Sequence, residues 1–223
     1  MTSAIAERIN SIRQTLPNSV RLIGVTKQVS VQNIRAAYFA GIRDFGESRI
    51  QEAIEKQTQL QDLPDIKWHF IGHLQSNKAQ KALEHFQVIH SLDNLKLAQR
   101  LNRLAEEISI QPEVLLQIKI LPDHNKHGWT IPELLTDIPE LNLCNNLKIQ
   151  GLMTIPPLGL NETQTLALFQ ETRALANQIE AENWPNIKMH HLSMGMSEDY
   201  HLAIQAGATY IRLGTVIFGD RNT

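Results

Sequence analysis

The sequence contains a single cysteine, Cys144, so an internal disulfide is excluded. It stands beside Asn145 and Asn146 in a stretch that reads as a loop, with no CxxC pattern around it, and is taken as chemically inert. No apolar run reaches the roughly 18 residues that mark a membrane helix. The opening MTSAIAERINSIRQTL lacks the basic, apolar and small-residue order of a secretory signal, so the expected location is the cytoplasm. An excess of either charge is also missing. The 21 basic and 23 acidic residues of the 223 leave a formal net charge of −2, which gives nucleic acid no electrostatic hold. Neither nucleic acid nor a membrane is an expected partner. There is no linker rich in Pro, Gly or Ser and no low-complexity tract, and residues 1–223 are therefore read as one domain.

What is present is alternation. An opening amphipathic segment carries Ile5, Ile9, Ile12 and Leu16 at helical spacing and stops at Pro17. Short β-like runs then follow at 20–26, 44–46, 67–71, 87–91, 113–120, 147–154, 190–193 and 210–214. Between them lie helix-like stretches at 31–40, 48–61, 76–84, 94–108, 131–137, 162–182 and 198–206. Strand–helix alternation of this kind predicts parallel βα units. Sequential right-handed crossovers close eight of them into a (β/α)8 TIM barrel, an α/β fold. The alternative is an open doubly wound sheet, but no GxGxxG follows the first strand to support it.

In such a barrel the active face is formed by the loops after the C-terminal strand ends. Polar clusters fall there: Thr26-Lys27, Gly46-Glu47-Ser48, His69 through His73, Ser193 through Ser197, and Arg212-Leu213-Gly214-Thr215. Around Ser193 and Thr215, hydroxyls accompany glycines whose missing Cβ lets backbone N–H groups approach an anion, which suggests a phosphate site. Loop and helix-cap chemistry is the competing reading of the same residues. An amine at Lys27 beside a bound phosphate monoester, with its pKa lowered by partial desolvation, suits capture of an aldehyde. Pyridoxal 5′-phosphate (PLP) contains both groups. A solvated strand end is the plain alternative for Lys27. His69 and His73 are four apart and His190 and His191 adjacent, but His69 and His73 span a strand end and Gly72, so helical i,i+4 geometry does not apply. With no HExxH or cysteine cluster they are read as structural, with no metal expected.

The segments VTKQV, FGESRIQE, WHFIGHLQSNK, HSLDN, GLMTIPP and LSMGMSEDYHLAIQAGATYIRLGTVIFG, in this order over nearly the whole chain, resemble the YggS/PROSC family of pyridoxal phosphate homeostasis proteins. The resemblance implies a fold-type III barrel like the N-terminal domain of alanine racemase. It also implies Lys27 as the Schiff-base lysine, phosphate contacts from Ser193, Gly195, Gly214 and Thr215, and Arg212 facing the pyridine nitrogen. His69 is expected close enough to the cofactor to shape its pocket. Two positions depart from the family pattern: Ser48 replaces a common asparagine, which weakens the expected contact with the cofactor ring, and Lys119 stands where asparagine is frequent. Lys119 is read as a solvated strand end.

The implied function is to hold PLP for vitamin B6 homeostasis, and through it amino- and keto-acid balance, without catalytic turnover. PLP-dependent apoenzymes or regulatory proteins are the expected partners, and a monomer the expected state. The alternative is a one-domain amino-acid racemase, which needs a second acid/base group opposite Lys27, with His69, Lys119 and Tyr200 as candidates. The sequence stops at Arg221-Asn222-Thr223 with no counterpart of the racemase's C-terminal domain, which favours the non-catalytic expectation.

Overall fold

A computed structural model describes residues 2–123 and 126–219; Arg221, Asn222 and Thr223 lie outside the described residues. Eight parallel strands close into a barrel in sequence order, β8 pairing with β1. They are β1 (Arg21–Val25), β2 (Asp44–Glu47), β3 (Lys67–Phe70), β4 (Val88–Leu92), β5 (Glu113–Ile118), β6 (Lys148–Thr154), β7 (Ile187–Ser193) and β8 (Tyr210–Leu213). The helices are α1 (Thr2–Thr15), α2 (Val31–Phe39), α3 (Ile50–Gln59), α4 (Ala79–His85), α5 (Leu95–Glu107), α6 (Ile131–Leu141), α7 (Glu162–Ala181), α8 (Tyr200–Gln205) and α9 (Thr215–Phe218). The expected TIM barrel is the observed one.

Local chemistry accounts for the helix starts. Ser30, Asn94, Thr130 and Asn161 each accept a backbone N–H of the first turn through the side chain, and Thr130 with Glu133 and Asn161 with Gln164 form reciprocal capping boxes. The helices bury one apolar stripe against the outside of the sheet, as Leu97, Leu101 and Leu104 do in α5. The segment before the barrel, α1, buries Ile5, Ile9 and Ile12 and is tied to the end of α2 by Arg13, whose guanidinium donates to the carbonyls of Ala40 and Gly41.

Several boundaries differ from the sequence expectation, two of them for instructive reasons. Strand β7 starts at Ile187, three residues early, because Ile187 and Met189 are buried although exposed His190 interrupts the apolar pattern. Helix α6 runs through Pro139 to Leu141, since buried Ile138 and Leu141 hold its last turn against the core. The single cysteine, Cys144, is buried just beyond that helix, and burial raises its thiol pKa, which suppresses the reactive thiolate.

The barrel interior is unusually polar. Contacts between strands that are not neighbours identify the side chains inside: Lys67 Nζ to Glu113 Oε2 at 2.9 Å, Tyr210 hydroxyl to Glu113 Oε1 at 3.2 Å, and His90 Nδ1 to Ser193 Oγ at 2.8 Å. Ile23, Leu115 and Met153 supply a small apolar cluster around Tyr210. An interior filled in this way is a packed core and not a pore.

Candidate functional site

A cavity of about 510 Å³ opens at the C-terminal ends of the strands, within the range of roughly 300–1,000 Å³ usual for small-molecule sites. Lys27, Ser48, Arg212, Gly214 and Thr215 line it, with Val25, Ile71, the loop from Ile155 to Leu160, and Met196 through Asp199. Five residues expected at the mouth thus meet in one wall, though they come from loops as far apart in sequence as 27 and 215.

The backbone on each side of Lys27 is clamped to one buried ionic cluster. Thr26 donates its hydroxyl to Glu47 Oε1 at 2.7 Å, and its carbonyl accepts from Lys56 Nζ at 2.6 Å. On the other side the Gln28 N–H donates to Glu52 Oε1 at 2.6 Å, with Gln28 held at a left-handed φ of 61°. Lys56 bridges the two carboxylates at 2.7 and 2.6 Å. Burial raises the pKa of Glu47 against the opposing pull of Lys56 and Thr26, and Glu47 Oε2 is a buried oxygen with no hydrogen-bond partner among the described residues. Glu52 is also desolvated, but the hydrogen bonds from Lys56 and the Gln28 N–H outweigh this and lower its pKa. Sequence reading missed Lys56 and Glu52; their four-residue spacing on α3 was the available signal.

Arg212 enters the cavity from below as a buried cation. Its guanidinium donates to Ser193 Oγ at 2.6 Å and to the Thr154 carbonyl at 3.1 Å. Burial lowers its pKa to about 10, which still leaves it charged at neutral pH. From Ser193 a row of contacts descends the barrel axis: His90 Nδ1 at 2.8 Å, His90 Nε2 to His69 Nδ1 at 2.9 Å, and His69 Nε2 to Asp44 Oδ1 at 2.8 Å. Burial lowers the pKa of both histidines, that of His90 strongly, so each is a neutral ring with one donor and one acceptor. A guanidinium only donates and a carboxylate only accepts. With the rings neutral, every hydrogen bond in the row then points from Arg212 toward Asp44.

Three residues expected at the cofactor, His69, Ser193 and Gly195, do not border the cavity. His69 does not border the cavity; it lies a layer beneath, with both ring nitrogens engaged. Ser193 is fully buried under Arg212, its hydroxyl shared with His90, and is not part of the cavity wall. Gly195 is buried at φ 92°, where an added Cβ would come within 2.6 Å of Ala203 Cβ and 2.9 Å of Tyr200 Cα, so close packing of α8 requires glycine. At Gly214 no atom lies nearer than 3.6 Å to the same position, which leaves its backbone open to the cavity. Lys119 and Tyr200 are outside the wall, and the charge of Lys119 acts on Glu133 at the start of α6. His90 went unread in the sequence; its signal was a histidine inside the apolar run Val88-Ile89-His90.

A family model, the alanine racemase N-terminal domain, matches residues 1–222, and this barrel with a lysine after its first strand is of that class. A protein of Synechocystis sp. named pyridoxal phosphate homeostasis protein is 56% identical over 212 residues, covering 95% of this chain and 96% of that protein. A protein of the same name from Aquifex aeolicus is 39% identical over 205 residues, covering 92% and 88%. PipY of Synechococcus elongatus, solved with PLP bound, superposes with a TM-score of 0.92 at 50% identity, covering 96% of this chain and all of that one. Alanine racemase of Clostridium difficile, 15% identical, shares the fold at a TM-score of 0.79, covering 99% of this chain and 58% of the racemase. The chain belongs to the alanine racemase N-terminal domain family, in the group of pyridoxal phosphate homeostasis proteins.

Proposed function

We propose that this protein binds PLP at the barrel mouth and holds it for intracellular vitamin B6 homeostasis, without catalytic turnover of its own. The single observation that carries the reading is the meeting of Lys27, Arg212, Gly214 and Thr215 in one cavity wall. The solved PLP complex of a relative 50% identical to this chain supports it. When bound, PLP supplies an aldehyde that an amine can capture, an anionic phosphate and a pyridine nitrogen. The donor set fits those three groups. Lys27 offers the amine and is held in place by the clamped backbone of Thr26 and Gln28. Gly214 and Thr215 offer open backbone and a hydroxyl to the phosphate, whereas Ser193 acts from below by fixing Arg212. Arg212 would offer N–H groups to the ring nitrogen and could accept no proton from it, which would leave the ring a poor electron sink.

The same geometry favours holding over turnover. His69, Lys119 and Tyr200, weighed as the second acid/base group of a racemase, all lie outside the cavity wall. A cytoplasmic monomer goes with this reading, checked by cell fractionation and light scattering. The decisive experiment is an absorbance titration with PLP, followed by borohydride reduction and peptide mass mapping. A new near-ultraviolet or visible band with the adduct on Lys27, both lost in Lys27→Ala, is the expected result. No band at saturating PLP, or an adduct spread over surface lysines, would overturn it. Loss of optical rotation from L-alanine or L-serine by the loaded protein would instead favour the racemase.

A further inference from the structure

Outside the cavity, three loops at the same end of the barrel bring His73, Asp93 and His127 together. His73 follows β3, Asp93 follows β4, and His127 lies in the loop after β5. One donor atom from each lies within 4.8 Å of the others. The Asp93 Oδ2 atom is 3.2 Å from His73 Nδ1 and 3.8 Å from His127 Nδ1. The two rings stack with centroids 3.6 Å apart and planes 10° apart.

We infer that His73, Asp93 and His127 form a binding site for a divalent transition-metal ion, with Zn²⁺ the ion best matched to the donors. The charges argue for it first. Asp93 has a side chain only 3% exposed, and among the described residues no lysine or arginine lies within ion-pair distance of it. A buried carboxylate needs compensation. Asn94 Nδ2 donates to Asp93 Oδ1 at 2.6 Å, and the other oxygen, Oδ2, faces the two imidazoles. One divalent cation supplies the missing positive charge and takes a lone pair from each neutral ring.

The geometry argues for it next. Zinc with bonds of about 2.0–2.1 Å holds tetrahedral donors about 3.3 Å apart, between the two observed carboxylate–imidazole distances. Two imidazoles and one carboxylate suit zinc and its first-row neighbours, whereas calcium and magnesium call for more oxygen donors. A bound metal lies near the plane of each ring, so the parallel rings must splay. Their side chains are 42% and 57% exposed and have room to turn. The backbone is already set: Gln117 Nε2 donates to the His127 carbonyl at 2.9 Å, and Trp129 bridges to Ile118. Water would fill the fourth position, on the solvent side. The metal would pin the rim, since Ile71, two residues before His73, borders the cavity, and Lys126 donates to the carbonyls of Ile155 and Pro156 in its wall.

The inference does not depend on PLP, and its test is made on chelator-treated, PLP-free protein. Zn²⁺ is titrated by calorimetry, and Co²⁺ by visible absorbance, whose band intensity reports tetrahedral coordination. The expected result is one equivalent bound, lost in both His73→Ala and His127→Ala and retained in His190→Ala, a control at another exposed histidine. Circular dichroism verifies that each variant is folded, and replacing exposed imidazoles leaves the core intact. Wild-type protein that takes up no stoichiometric metal, or undiminished binding in both single variants, would overturn the proposal.

Discussion

Arg212 Nη1 donates to Ser193 Oγ at 2.6 Å, so the hydroxyl at the end of β7 serves the barrel's buried guanidinium. In Ser193→Ala that N–H loses its acceptor inside the protein, and His90 loses its partner above. Hydrogen bonds to charged groups are worth about 1.5–3 kcal/mol, and urea unfolding should show a loss of that size. PLP affinity should fall with it, because the guanidinium is no longer held under the ring. An unchanged unfolding midpoint would remove Ser193 from this role.

The histidine row makes stability depend on pH. His69 and His90 have folded pKa values below the ordinary 6.5, so below that pH the unfolded chain binds protons that the folded chain refuses. Stability should be complete well above pH 6.5 and fall as the pH drops from 7 to 5. The slope approaches about 1.4 kcal/mol per pH unit for each histidine. His90→Gln should flatten it by one proton. Urea titrations at pH 7, 6 and 5 measure this directly, and pH-independent stability in the wild type would contradict the buried neutral rings.

Lys56→Met leaves Glu47 as a buried carboxylate with its lysine gone. Breaking a buried pair from one side costs about 3–5 kcal/mol, and the double variant Lys56→Met, Glu47→Leu should recover much of it. Because the clamp also holds Thr26 and Gln28, capture of PLP by Lys27 should slow in the single variant, measured by stopped-flow absorbance. A normal rate would show that the lysine needs no such support.

At Gly72 an added Cβ would lie 2.2 Å from the Ser48 carbonyl oxygen, too close for backbone to tolerate. Gly72→Ala must push apart the loops after β2 and β3. It should cost about 1–3 kcal/mol of stability and weaken PLP binding through Ser48. Parallel melting curves and PLP titrations separate the two.

Much of the fold was legible without coordinates because a parallel barrel repeats one local pattern. Apolar runs such as Val114-Leu115-Leu116 and stripes such as Leu97, Leu101 and Leu104 state strand and helix through their periods alone. Among the boundaries misread are those where a buried position is not apolar in its immediate company, as at His190, or where a proline is tolerated because its neighbours pack, as at Pro139. Lys27 and Arg212 could be marked as candidates, since both stand at strand ends where a barrel gathers its loops.

By itself the sequence determined the alternation, the caps and which strand ends carry polar groups, because these depend on residues within a turn or two of one another. Only the pairing of the strands into the barrel decided which polar groups meet. It drew Ser193 beneath Arg212, set His69 a layer below the mouth, clamped Thr26 and Gln28 to Lys56 and its carboxylates, and joined His73 to Asp93 and His127. Those contacts span up to 103 residues of chain, as between His90 and Ser193, and are set by the register of strands across the barrel. No local period encodes that.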